Sequence, residues 1–226
     1  MPSPAPPKTI SPIFLVLSTF YVTCLLLSNL VASKVILLGG LTLDAAVTLF
    51  PLTYILGDVF TEIYGFRRTK CVIWLGFSCN FLAALVYLLT IHLPYPEYWQ
   101  NQQAFETVLG ITPRIFLASL TGYLFGEFSN SFVLSKLKIA TKGKMLWLRT
   151  ILSTFVGEAL DTVLFVLISF LGILPTQVLW TMMLCQYVFK VAYEVLFTPL
   201  TYWCIAKVKK MERLDVYDYQ ESYRVL

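Results

Sequence analysis

The chain has 226 residues, 58% hydrophobic, 15% aromatic and only 13% charged, with a net charge of +4 and a mean hydropathy of +0.73. Soluble domains carry about 25% charge, and at about 20 residues per crossing this apolar content suffices for about six membrane spans. A water-soluble enzyme, a disordered chain and a disulfide-rich secreted module are excluded; a nucleic-acid binder is disfavoured, because the positive charge lies between apolar runs.

In chain order, residues 1–12 hold Pro2, Pro4, Pro6, Pro7 and Pro12 and are expected to form a solvated tail. The uncharged run 13–33 reads as a retained first span rather than a cleaved signal. Further spans are expected at about 45–64 (interrupted by Pro51), 71–93, 115–135, 150–174 and 178–206, the last needing tilt or a break near Pro199. Residues 207–226 are charged and tyrosine-rich and are expected to be solvent-exposed. The expectation is therefore an all-α, six-helix membrane domain over 13–206, flanked by a proline-rich tail and a cytoplasmic tail.

Orientation follows from the basic residues. Lys8, the 67–70 loop, the 136–149 loop and the segment 207–213 together hold thirteen Lys and Arg on one side. The other side has only Lys34 and Arg114, together with Asp44, Glu97 and Glu106. Six spans with both termini cytoplasmic satisfy this bias. Tyr95, Tyr98, Trp99 and Trp147 fit interfacial belts.

The cysteines, Cys24, Cys71, Cys79, Cys185 and Cys204, form no C-x-x-C pair, and His92 is the only histidine. No metal or cofactor is expected. Nor is there an H-E-x-x-H or G-x-S-x-G motif, so no enzyme is expected.

Seven ionisable residues interrupt the spans: Asp58, Glu62, Glu127, Glu158, Asp161, Lys190 and Glu194. Each costs on the order of 2.5–3.5 kcal/mol at mid-bilayer, and such groups persist mainly where they pair, line a polar cavity or handle a substrate. Counting from the nearest basic loop, all but Glu62 fall roughly 13–26 Å deep at ~1.5 Å per residue. Glu62 is shallower and reads as an interfacial salt-bridge partner. Glu158 and Asp161 are i,i+3 and share a helix face, whereas Lys190 and Glu194 are i,i+4 and can pair along their own helix. Five acids and one lysine sum to −4, so some carboxylates must be protonated, hydrated or bound to a donor-rich ligand. Carboxylates accept paired N–H donors, such as a guanine edge or a guanidinium offers, and they also suit cations. A Lys190 network that only fixes packing, a channel, and a carboxylate dyad for hydrolysis remain as alternatives. A carrier fits best.

The stretches Ser28-Asn29-Leu30-Val31-Ala32-Ser33-Lys34, Asp58-Val59-Phe60-Thr61-Glu62-Ile63-Tyr64-Gly65, Gly157-Glu158-Ala159-Leu160-Asp161-Thr162 and Lys190-Val191-Ala192-Tyr193-Glu194, followed by Thr198-Pro199, occur in this order. Together they resemble the queuosine precursor transporter family, also called the vitamin uptake transporter or YhhQ-like family, from about residue 13 to 210. The resemblance implies a six-helix importer of 7-cyano- or 7-aminomethyl-7-deazaguanine, or of queuine, for tRNA modification. It also implies a fold like the substrate-binding subunits of energy-coupling-factor transporters, which leaves open an energising partner subunit; the basic bias itself suits a bacterial cytoplasmic (inner) membrane. The residues expected to bind the base are Glu158, Asp161, Lys190, Glu194, Asp58, Glu127 and Asn29. An ion-coupled transporter of another vitamin, nucleobase or cationic solute is the alternative.

Overall fold

The computed structural model describes residues 10–31, 34–38, 41–110, 113–219 and 223. Residues 1–9 of the expected proline-rich tail lie outside the described residues. Helix α1 (Pro12–Val31) is followed by a hairpin of β1 (Val35–Leu38) and β2 (Leu41–Asp44), then a 3-10 turn (Ala45–Thr48). Helix α2 (Phe50–Val59) passes into a π-helical turn (Phe60–Tyr64), and α3 (Phe66–Ile91), α4 (Gln102–Leu109), α5 (Pro113–Ala140), α6 (Leu146–Phe170) and α7 (Thr176–Glu212) complete the chain.

All six apolar segments are helical, but the fold is not wholly α. The hairpin pairs Val35 with Asp44 and Leu38 with Leu41. Its origin is readable: two short apolar runs flank Gly39-Gly40, a dipeptide suited to two-residue hairpin loops. The second apolar segment is also less regular than expected. It breaks into the 3-10 turn, α2 with a proline in its first turn, and the π-helical turn. Such π turns inside helical stretches occur frequently at functional sites.

Among the described residues, three helices, α1, α3 and α6, are long and apolar enough to cross a membrane. Helices α5 and α7 are longer still, with 28 and 37 residues, but too polar by the same measure. The burial pattern explains this. Apolar residues face outward along α1 (Leu15, Val16, Phe20), α3 (Leu82, Leu85, Leu89) and α7 (Leu184, Val188, Leu196), while the interior holds Ser131, Ser153, Thr162, Asp58, Glu62 and Glu194. A helical bundle with an apolar outside and polar groups inside is arranged for lipid. The chain is a membrane protein.

An aromatic core anchors α1 to the π-helical turn, with the Phe14 ring 4.8 Å from Tyr64 and 5.6 Å from Phe60, both edge-on. Helices α5 and α6 meet through small residues. A Cβ on Gly126 would lie 2.9 Å from the Asp161 Cβ and 3.1 Å from the Gly157 carbonyl; one on Gly157 would lie 2.8 Å from the Asn130 Cβ. This is the small-xxx-small logic of membrane helix pairs, Gly122 and Gly126 being i,i+4. Gly126→Leu is expected to prise the seam apart, lowering the unfolding temperature in detergent and the amount of protein in the membrane. Gln103→Ala, exposed on α4, should change neither.

Candidate functional site

The α5–α6 seam places the acids. Asp58 lies near the end of α2, Glu127 and Asn130 on α5, Glu158 and Asp161 on α6, and Lys190 and Glu194 on α7. Lys190 reaches across to α6, where its Nζ contacts Glu158 Oε2 at 2.9 Å and also pairs with Asp161 Oδ2. The i,i+3 spacing of the two acids supplies both carboxylates to one ammonium. The expected pairing along α7 is therefore replaced by a bridge between helices, and Glu194, 2% exposed, keeps an unpartnered Oε1. Tyr54, from α2, hydrogen-bonds the Glu158 carboxylate.

Beside this triad sits a second set. Asn130 Nδ2 donates to Asp58 Oδ1 at 3.3 Å, and the Tyr21 hydroxyl lies 3.2 Å from the Tyr123 hydroxyl. Asp58 Oδ2, Glu127 Oε2, Asn130 Oδ1 and Glu194 Oε1 are buried without a hydrogen-bond partner among the described residues. Each orphaned buried acceptor costs about 1–3 kcal/mol, more when charged. Four of them in one polar interior make a surface complementary to a ligand rich in donors.

The structure thus gathers Asp58, Glu127, Glu158, Asp161, Lys190 and Glu194 among α2, α5, α6 and α7. Asn29 is held elsewhere: its amide donates to Asn80 Oδ1 at 2.5 Å, joining α1 to α3. Tyr21, Tyr54 and Asn130 were missed in the sequence. They are neutral residues in apolar runs, and nothing local distinguishes them from packing residues.

Glu62 is ion-paired as expected, and it is buried within the bundle at 1% exposure. Arg149 grips it with two nitrogens, at 2.5 and 3.1 Å, and Lys209 contacts its Oε1 at 2.9 Å. Lys138 donates to the Glu62 carbonyl. Lys138 and Lys209 also hold Asp215, at 2.5 and 2.9 Å. These three cations, all among those counted for orientation, lie near the ends of α5, α6 and α7 and close an internal ion network at the basic end of the bundle.

The tail after α7 is consequently not free. Val216 N–H donates to the Ile63 carbonyl at 3.1 Å, and Asp218 accepts from Phe66 N–H at 2.9 Å and from the Ser135 hydroxyl at 2.5 Å. Burial raises the Asp215 carboxyl, but the hydrogen bonds and charges of Lys138 and Lys209 outweigh it and hold it below the usual carboxylate range. A depressed carboxyl contributes stability above its unfolded pKa, near 4, and loses it as pH falls through the folded value. Amide-exchange protection of Val216, corrected for intrinsic rates, is therefore expected to hold from pH 8 to 5. Loss of protection between pH 7 and 6 would contradict this.

Residues 44–204 match a family model described as "putative vitamin uptake transporter", which spans well over half of the chain and contains every site acid above. The chain belongs to this family. It is also 29% identical over 187 residues to a Bacillus subtilis (strain 168) protein named "Probable queuosine precursor transporter", the match covering 82% of each chain. No solved structure matches the chain. The family's description names a transporter, and the polar interior of this member lies among helices whose outer faces are apolar.

Proposed function

We propose that the chain imports a queuosine precursor, 7-cyano- or 7-aminomethyl-7-deazaguanine or queuine, across the bacterial cytoplasmic membrane. The observation that carries this reading is the set of buried, unpartnered acceptors, Asp58 Oδ2, Glu127 Oε2, Asn130 Oδ1 and Glu194 Oε1, beside the Lys190–Glu158–Asp161 triad. A deazaguanine offers an N1–H and a 2-amino group as paired donors, which one carboxylate accepts side by side. It also offers an O6 acceptor, for which Lys190 is the available donor. An aminomethyl or cyclopentenyl-amine substituent adds a cation suited to a second acid. The named relative supports the same cargo class.

In this reading the six helical segments span the membrane with both termini cytoplasmic, as the basic bias predicts, and the protein is a carrier rather than an enzyme. The arrangement suits a substrate-binding subunit of the energy-coupling-factor kind, with or without an energising partner. A vitamin other than a deazapurine is the second reading, favoured by the family's description.

The test is tRNA queuosine content in a bacterium unable to make the precursor and lacking its own importer. The strain expresses this chain and is fed each base separately at low concentration, with a transglycosylase able to use it. Restoration by one compound establishes the class and identifies the cargo. Failure with all of them, despite confirmed membrane expression and a co-expressed energising module, moves the assignment to the second reading.

A further inference from the structure

The same four helical elements that carry the site acids are tied together a second time at the basic end. Glu62 follows Asp58 by four residues, so the site and the ion network share one face of the helical stretch that includes the π turn. On α5, Glu127, Ser131, Ser135 and Lys138 descend from the site to the network at near-helical intervals. Ser131 is fully buried between them and accepts a hydrogen bond from Thr61 at 3.1 Å. Beyond Ser131 the structure is closed by chain rather than by lipid-facing helix. The tail following α7 crosses this end through Asp215, Val216 and Asp218.

The tail is fitted to its seat. Gly65, at φ +79°, lies where the π turn gives way to α3, and a Cβ there would stand 2.7 Å from Asp218 Oδ1 and 2.9 Å from Val216 Cγ1. Only glycine allows both this backbone and this approach. Asp218 sits on the first amide of α3, where a negative charge is favoured by the helix dipole. Val216 O accepts from Lys138 at 2.7 Å, and Tyr223 covers Lys136 with its ring 4.0 Å from the ammonium. Of the network's two acids, Glu62 and Asp215, the tail supplies the second. Without Asp215, three cations (Lys138, Arg149 and Lys209) would face one carboxylate.

We propose that the segment from Arg213 to Tyr219 is a latch that shuts the cytoplasmic end of the site, and that its release lets α5, α6 and α7 part there so that cargo leaves toward the cytoplasm. The proposal rests on the transport reading and its orientation, but its test needs no cargo. In a background with Cys24, Cys71, Cys79, Cys185 and Cys204 replaced by alanine, Ser131→Cys reports access to the space between network and site. The reporter is labelled with a membrane-impermeant maleimide in inside-out and in right-side-out vesicles.

With the latch intact, labelling from the cytoplasmic face is slow. With Asp215→Asn and Asp218→Asn together it accelerates at least tenfold from that face and is unchanged from the other. An unchanged rate, or equal acceleration from both faces, overturns the latch. Where the double variant fails to reach the membrane, Asp215→Asn alone serves, because this side chain is 42% exposed and the contacts of Asp218 stay in place. An acceleration of at least threefold is expected, and none would overturn the proposal. Latch-dependent labelling in a chain that restores no queuosine would leave the latch standing and remove the cargo assignment.

Discussion

Glu158→Gln and Asp161→Asn are each expected to lower uptake of the deazaguanine by roughly 30-fold or more, since removing one partner of a buried hydrogen-bonded charge pair costs about 2–5 kcal/mol. Two changes act together. Lys190 loses one of the two carboxylates that hold it between α6 and α7, and an amide presents a donor where the base needs an acceptor. Abundance should stay near wild type, because neutralising one acid lessens repulsion in a cluster that carries excess negative charge. The measurement is initial uptake rate normalised to membrane protein detected by immunoblot. Near wild-type rates in both variants would remove the triad from the binding site.

The second large effect is structural. Glu62→Gln should reduce stability by about 3–5 kcal/mol, the usual consequence of leaving one member of a buried pair without its counter-charge. Here Arg149, 1% exposed, would lose its bidentate partner, and Lys209 and Lys138 would share the one remaining carboxylate of the network, Asp215. Arg149→Met should be similarly severe. The double variant Glu62→Gln with Arg149→Met should recover part of the loss, because neither charge is then stranded. Thermal unfolding of the purified variants in detergent measures all three. Additive losses in the double variant would show that the two residues are not coupled.

The two effects differ in kind because the acids do. Glu62 is saturated with donors from three elements and works as a fastener. Asp58, Glu127 and Glu194 each keep an oxygen without a donor, and Glu158 and Asp161 share one lysine. Satisfied charges belong to the frame, and unsatisfied ones face what the frame encloses.

Much of this was legible in the sequence because lipid imposes a simple rule. Long apolar runs fixed where α1, α3, α5, α6 and α7 lie, and the cost of a charge in a span singled out the acids that the structure gathers. The i,i+3 pair Glu158 and Asp161 on one face was a local fact, and it held. What could not be read was partnership across helices. Lys190 had a local choice, Glu194 at i+4, and a distant one on α6; the distant one offers two carboxylates.

Arg149 and Lys138 count with a basic loop in the sequence, yet they lie in α6 and α5, and their buried roles depend on Glu62, 87 and 76 residues away in sequence. Asn29 looked like a ligand contact because it is polar and late in α1, and the structure gives it to Asn80. The hairpin was missed because its eight strand residues read as a loop between spans. The tail looked solvated from its charges, but those charges match cations that folding places beneath it.

The most direct test of the central claim is binding to the purified chain in detergent, because binding requires neither an energy source nor a partner. Titration calorimetry compares a 7-deazaguanine with its analogue lacking the 2-amino group, on the wild type and on Glu158→Gln. The account predicts saturable binding of the deazaguanine by the wild type and at least tenfold weaker binding of the analogue, which lacks one of the paired donors. It predicts the same loss for the full ligand on Glu158→Gln. Equal affinity for both compounds, or no loss on Glu158→Gln, would contradict recognition of a paired-donor edge by the buried acids.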